Sequence, residues 1–370
     1  MINSDWEGPW VTADHARAMV EYAIPEIGGK VFDGISEYDD WRFYILKGTS
    51  YDNRKYEPGD TLGLIAPILI SFDITEKDLI AIAERNANFI RGAEKSIALL
   101  KKFHEFNVIT TSYKQYIECT AKLVGILKQN IYGTHFPIDE YRKIVEEKDK
   151  KLVKEWIPVI AKLPKLNIKP ESKKKDLSKE QIETIKKLDH FFFELLPKTS
   201  FEIVLNEVKP IGGSRKFEAV LRFLKSKKLS DSTTIGDSIT DAVMLEETKK
   251  AGGLALCFNG NDYAMRHSNI SIVSDNCIAT AVLADIFENS DIETLKNVIR
   301  NWNIKTLKES VKEKILSEQI FLELRNSYPS KLMNFPIVYD LEDGKYLEKK
   351  IEVSKHFRKI VRGKEIGSLG

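Results

Sequence analysis

The chain has 370 residues, 42% of them hydrophobic, with 57 Lys and Arg against 55 Asp and Glu for a formal charge of +2. That length supports a large core and more than one structural unit, and the near-neutral balance offers no field to recruit nucleic acid or an acidic membrane. No run reaches the roughly 18 apolar residues of a membrane span, since the longest candidate, 62–74, is broken by Pro67 and Asp73.

Three scattered cysteines, Cys119, Cys257 and Cys277, suit reduced packing residues in a cytosol rather than a disulfide framework. A first strand beginning at Met1 leaves no room for a signal peptide, so a cytoplasmic location is expected.

In chain order, a strand over 1–4 delivers Asp5 into the turn Asp5-Trp6-Glu7-Gly8-Pro9. Thr12 is placed to cap a helix over 13–23. An aromatic-rich stretch follows, with Trp10, Tyr22, Phe32, Tyr38, Trp41, Phe43, Tyr44, Tyr51 and Tyr56, read as the filling of a small core in preference to a stacking wall for a substrate ring. Asp39-Asp40 within it reads as a solvated acidic turn rather than a selector of a cationic substrate group. Thr75-Glu76-Lys77-Asp78 has the spacing of a capping box.

A strand over 107–110 ends in the hydroxyl run Thr110-Thr111-Ser112. A lysine-rich insert contains Lys173-Lys174-Lys175, read as a solvated linker, and helical periodicity at Ile182, Ile185 and Leu188. Gly212-Gly213-Ser214-Arg215-Lys216 brings a cation into the first turn of a helix, and a strand over 232–235 runs into Gly236-Asp237-Ser238-Ile239-Thr240-Asp241. Strands over 253–258 and 271–273 complete the series, with Asp262 as the expected cap of the helix from Tyr263. Beyond about 289 the pattern is charged helix and then an extended tail. Short apolar strands alternating with helices imply an α/β protein with a parallel sheet covered on both faces, its ligands outside the carboxyl ends of the strands.

An attacking carboxylate, a hydroxyl donor, a cation and two acids able to hold a metal are what displacement at phosphorus requires, because its burden is to position groups and neutralise phosphate oxygens. The four segments resemble the motifs of the haloacid dehalogenase (HAD) superfamily, mostly magnesium-dependent phosphatases that work through an aspartyl-phosphate. The opening motif of that family, Asp-x-Asp-Gly-Thr, stands here as Asp5-Trp6-Glu7-Gly8-Pro9, departing at two positions. The segment from Arg91-Gly92-Ala93-Glu94 to Ser112 is similar to the helix and second-motif strand, Gly212 to Lys216 to the lysine motif of phosphoserine-phosphatase-like members, and Gly236 to Asp241 to the last motif. More distantly, the whole chain resembles an archaeal hydrolase-like group described as subunit R of energy-converting hydrogenase A.

The resemblance implies a Rossmann-like three-layer core from 1–11, 89–138 and 198–288, with the strand of Asp5 between those of Thr110 and Asp237. It places a mainly helical cap at 12–88, and leaves an additional helical insert at 139–197 and a helical extension and tail at 289–370, the last a possible docking element for a protein partner. It implies Asp5 as nucleophile and Glu7 as acid and base. Thr110 and the N–H of Thr111 would hold phosphate, with Thr111 or Ser112 able to take the hydroxyl's place. Lys216 would pair with phosphate and Asp5, Arg215 being the competing cation. Mg2+ would be held by Asp5, the Glu7 carbonyl, Asp237 and, through water, Asp241. The expected activity is hydrolysis of a small phosphorylated metabolite. The alternative is a catalytically impaired binding or assembly subunit, to which the extra methylene of Glu7 points. The six histidines show no metal-ligand spacing.

Overall fold

A computed structural model describes residues 1–46, 56–166, 177–329 and 335–368. Seven strands form a single sheet in the order β3-β2-β1-β4-β5-β6-β7. They are β1 (Ile2–Ser4), β2 (Phe106–Tyr113), β3 (Ile131–Thr134), β4 (Thr233–Gly236), β5 (Leu254–Phe258), β6 (Ile270–Val273) and β7 (Ile337–Asp340). Every neighbouring pair is parallel except β6 with β7. The fold is therefore α/β with a Rossmann-like core, and β1 lies between β2 and β4.

Both faces of the sheet are covered, so β1, β4, β5 and β6 are buried throughout and show no polar alternation. Val108, Leu254 and Leu256 turn to one apolar layer, built with Ile97, Leu100 and the buried helix Ile278–Glu288. Ile109, Ala255 and Cys257 turn to the other, with Val220, Leu224, Met244 and Leu245 from the helices Ser214–Leu224 and Ala242–Lys250. The period of two in strand side chains thus sorts adjacent residues into the two outer layers.

The stretch 289–370 departs from a charged helix and extended tail. Leu295, Leu307, Ile320 and Leu324, on three successive helices, belong to the main core, and β7 closes the sheet edge. The final segment is the helix Leu347–Arg362, which buries Ile351, Ser354 and Arg358. Its exposed remainder carries charges of both signs, among them Glu348, Lys349, Glu352 and Lys359, and that masks a buried face three to four residues in period.

Stretches 12–88 and 139–197 share one core over the carboxyl ends of the central strands. Ile35, Leu69, Val153, Leu188 and Phe192 pack together, with Tyr113 of β2 among them, and the rings of Tyr38 and Phe192 stack at 6.1 Å. Tyr38 and Trp41 are buried in this core, as a filling role requires, whereas Trp10 belongs to the main core and Tyr22 is exposed. Tyr51 and the run Lys173-Lys174-Lys175 lie outside the described residues. The helix Thr61–Ser71 is buried on every side, and among the described residues no helix is long and apolar enough to cross a membrane.

Thr75 and Asp78 form the capping box their spacing suggests. Elsewhere the caps shift by one or two residues. Asp14, not Thr12, caps the helix His15–Ala23 through Arg17 N, and Asn261, not Asp262, caps Asp262–His267. Cys257 and Cys277 are buried, Cys119 is half-buried, and all three are free.

Candidate active site

Three strand ends build the site. Asp5 follows β1 directly, and its N–H donates to the Ile235 carbonyl at 2.9 Å, so the sheet hydrogen bonding fixes its backbone. The parallel register pairs Ser4 with Val108 and with Ile235. Thr110 on β2 and Asp237 after β4 therefore reach the same edge as Asp5.

After β4 the chain enters a tight turn at Ser238 and the 3-10 segment Ile239–Asp241. Asp241 Oδ2 accepts from the N–H groups of Asp237 and Ser238, both at 3.0 Å, and from Ser238 Oγ at 3.2 Å. That leaves Asp241 Oδ1 for Lys216 Nζ at 2.6 Å, and Lys216 Nζ also lies 3.0 Å from Asp5 Oδ1. Lys216 is fully buried in the first turn of its helix, which starts at Gly213 with φ +54°, a value glycine adopts without strain. Arg215 turns away to Asp60 and to the Pro210 carbonyl.

The fourth segment thus joins the first through the third. Carboxylate oxygens of Asp5, Asp237 and Asp241 all lie within 4.8 Å of one another. Asp5 Oδ1 has the Lys216 charge but no directed hydrogen bond, and buried Asp237 Oδ1 has no partner. Free oxygens on buried, mutually repelling carboxylates are what a hard dication satisfies, so this donor set fits Mg2+. Burial, then the charge of Asp241, raises the Asp5 carboxyl to about 6, with Lys216 opposing.

Glu7 stands apart from this group. Its Oε1 accepts from His15 N–H at 2.7 Å and its Oε2 from Ser112 Oγ at 2.5 Å. Burial, then the charge of Asp14, pushes its carboxyl up to about 8. Its carbonyl stays outside the local backbone pairing, in which Gly8 N–H donates to Val11 O and Val11 N–H to Trp6 O. Gly8 has φ +101°, and a Cβ there would come within 2.0 Å of Asp237 Oδ2. Glycine is required on both grounds.

The hydroxyl run divides. Thr110 Oγ1 accepts from Ser112 N–H at 3.2 Å, Thr111 Oγ1 donates to the Ile211 carbonyl at 2.9 Å, and Ser112 serves Glu7. A cleft with about 120 Å³ of free space lies over Asp5, Glu7, Thr110, Thr111 and Asp237. Of the described aromatic residues in the first insert, Phe32 alone lines it.

Two elements of the site go beyond the motif reading. Asp39 and Asp40 form no solvated turn; they lie within the helix Gly28–Leu46 and line the cleft. Asp39 accepts from Tyr56 Oη and from Gly59 N–H and is raised to about 7 by burial, then by the charge of Asp60. Arg358 and Arg362 come from the last helix. Arg358 Nη1 donates to Asp237 Oδ2 and to the Asp237 carbonyl, and Arg362 Nη1 reaches the same Oδ2 at 3.2 Å. The spacing of four residues, one helical turn, was the available signal, hidden among Lys355, Lys359 and Lys364.

Among known proteins, the chain is similar over its whole length to the solved structure of gene product AF1437 from Archaeoglobus fulgidus, with 27% identity, a TM-score of 0.76 and 98% of that chain covered. No protein-family model matches it, and no curated protein does. The likeness is therefore to a protein whose name carries no activity.

Proposed function

We propose that this chain is a magnesium-dependent phosphomonoester hydrolase of the haloacid dehalogenase type, acting on a small phosphorylated metabolite. The observation that carries the reading is the convergence of Asp5, Asp237 and Asp241 within 4.8 Å at the carboxyl edge of β1 and β4, with buried Lys216 between two of them. A structural ion-pair network needs no free buried oxygen on Asp237; a metal and phosphate site does.

In this reading an Asp5 carboxylate oxygen attacks phosphorus, the bond from phosphorus to the ester oxygen breaks, and the leaving oxygen takes the proton of Glu7. Glu7 then accepts a proton from the water that attacks the phosphorus of the aspartyl-phosphate, releasing inorganic phosphate and restoring Asp5. Thr110 and the N–H of Thr111 hold phosphoryl oxygens, and Lys216 holds Asp5 and offsets negative charge. Asp5, the Glu7 carbonyl, Asp237 and Asp241 would hold Mg2+, which when bound neutralises charge on the phosphoryl oxygens.

One observation favours a second reading, a fold that binds phosphate or assembles with a partner without turnover: both Glu7 carboxyl oxygens are engaged by the chain itself. Phosphate release from a panel of phosphomonoesters, with Mg2+ and with chelator, separates the two. Hydrolysis by the natural protein that is lost in Asp5→Asn supports the phosphatase. Activity surviving in Asp5→Asn sinks the nucleophile assignment, and activity confined to Glu7→Asp supports the second reading.

A further inference from the structure

Arg362 is fully employed by the chain. Its Nη1 reaches Asp237, its Nε donates to the Thr12 carbonyl at 3.3 Å, and its Nη2 to the Ala13 carbonyl at 3.1 Å. Arg358 is not. It is only 3% exposed, yet it lines the cleft and uses Nη1 alone, on Asp237. Its Nε is buried without a hydrogen-bond partner, whereas Nη2 makes no hydrogen bond to a described residue and, unlike Nε, is not sealed off from the cleft. A guanidinium presents its donors in one plane as a fork, so these N–H groups project along the free edge of a side chain already fixed on one edge by Asp237. Leaving Nε unsatisfied in a buried site is costly, and Asp14 lines the same cleft beside Asp5 and Asp237.

We infer that Arg358 is an anion-binding residue of this site, donating from Nη2 to an oxygen of the phosphoryl group of the substrate while Nη1 keeps Asp237 in place. The inference rests on the phosphatase reading and extends it to a residue of the last helix. The rest of the cleft decides which anion Arg358 meets. The cleft is also lined by Asp39 and Asp40, carboxyls raised by burial above their ordinary values, and among the described residues its lining cations are Arg358 and Arg362, so a second anionic group on the leaving alcohol would find no lining cation beside those two carboxyls. The phosphoryl group itself, placed over Asp5, is the anion brought beside Arg358. Arg358 also leaves Asp237 Oδ1 free, so its contact with Oδ2 and a cation on Oδ1 are compatible.

The test is calorimetric titration of full-length protein with inorganic phosphate in the presence of MgCl2, and separately with MgCl2 alone, for the natural chain, Arg358→Gln and Arg358→Lys. Loss of charge-assisted hydrogen bonds should weaken phosphate binding about tenfold to a hundredfold in Arg358→Gln. Arg358→Lys, which keeps the charge near Asp237 but not the fork, should recover part of that loss and serves alone if the Gln variant does not fold. Mg2+ affinity should change by less than about threefold in the Lys variant, whose charge still faces Asp237. Phosphate bound as tightly by both variants as by the natural chain overturns the role of Arg358 and leaves the phosphatase reading intact. A fall in Mg2+ affinity with phosphate affinity unchanged makes Arg358 a positioning residue for Asp237 only, and likewise overturns it. Failure of the natural chain to bind phosphate overturns both.

Discussion

Replacing Lys216 with Met tests the electrostatic core of the site. The Nζ lies 3.0 Å from Asp5 Oδ1 and 2.6 Å from Asp241 Oδ1, with Lys216 fully buried. Met fills much of the same volume, so the change removes a charge more than it opens a cavity. Breaking a buried pair leaves an uncompensated charge and costs about 3–5 kcal/mol, a large share of the roughly 5–15 kcal/mol that holds a domain folded. The loss should depend on pH. Asp5 already has a carboxyl raised from 3.8 to about 6, with Lys216 among the influences that lower it. A raised carboxyl contributes stability that is complete below its unfolded value and is lost as pH rises through its folded value. Without Lys216 that carboxyl rises further, so the penalty should be largest near pH 8 and shrink near pH 4, where Asp5 is neutral with or without its partner. Urea unfolding of both proteins at the two pH values, without divalent cation, reads this directly. A loss below about 1 kcal/mol at pH 8, or an equal loss at both, would refute the reasoning.

Glu7→Gln should flatten the fall in stability of the natural chain between pH 4.5 and about 8, the window in which Glu7 is ionised in the unfolded chain but still holds its proton in the folded one; an unchanged slope in pH-dependent unfolding counts against burial as the cause. Gly8→Ala combines a φ of +101° with a Cβ 2.0 Å from Asp237 Oδ2, and should cost at least about 1–3 kcal/mol by thermal unfolding while weakening Mg2+ binding. Mg2+ should raise the melting temperature of the natural chain, with no comparable rise in Asp237→Asn, as measured by scanning calorimetry with and without chelator.

The motifs were legible because strand ends place residues in space without a long inference. Asp5 and Asp237 each follow a short buried strand and Thr110 lies on another, and a parallel sheet brings such ends to one edge. Lys216 depended on its glycines and on the company of the other three segments. What sequence hid follows from local weakness of signal. Ile131-Tyr132-Gly133-Thr134 is too short, and too interrupted by glycine, to read as a strand. The strand Ile337–Asp340 follows charged helices and pairs antiparallel at an edge, where the alternation of a parallel sheet gives no guide. Arg358 was the larger omission. On a helix so rich in Lys and Glu, a cation reads as solvated, and only the buried line of Ile351, Ser354 and Arg358 distinguishes the inner face. The carboxylates Asp39 and Asp40 were misplaced for a related reason, since an acidic pair is exposed unless tertiary packing covers it.

The most direct test of the central claim is the covalent state of Asp5. Full-length protein mixed with a hydrolysed phosphomonoester and Mg2+, quenched in acid and digested, should yield a peptide carrying phosphate on Asp5 that hydroxylamine removes, and Asp5→Asn should yield none. Hydrolysis proceeding with no phosphate trapped on Asp5, or phosphate trapped on another residue, would contradict the account.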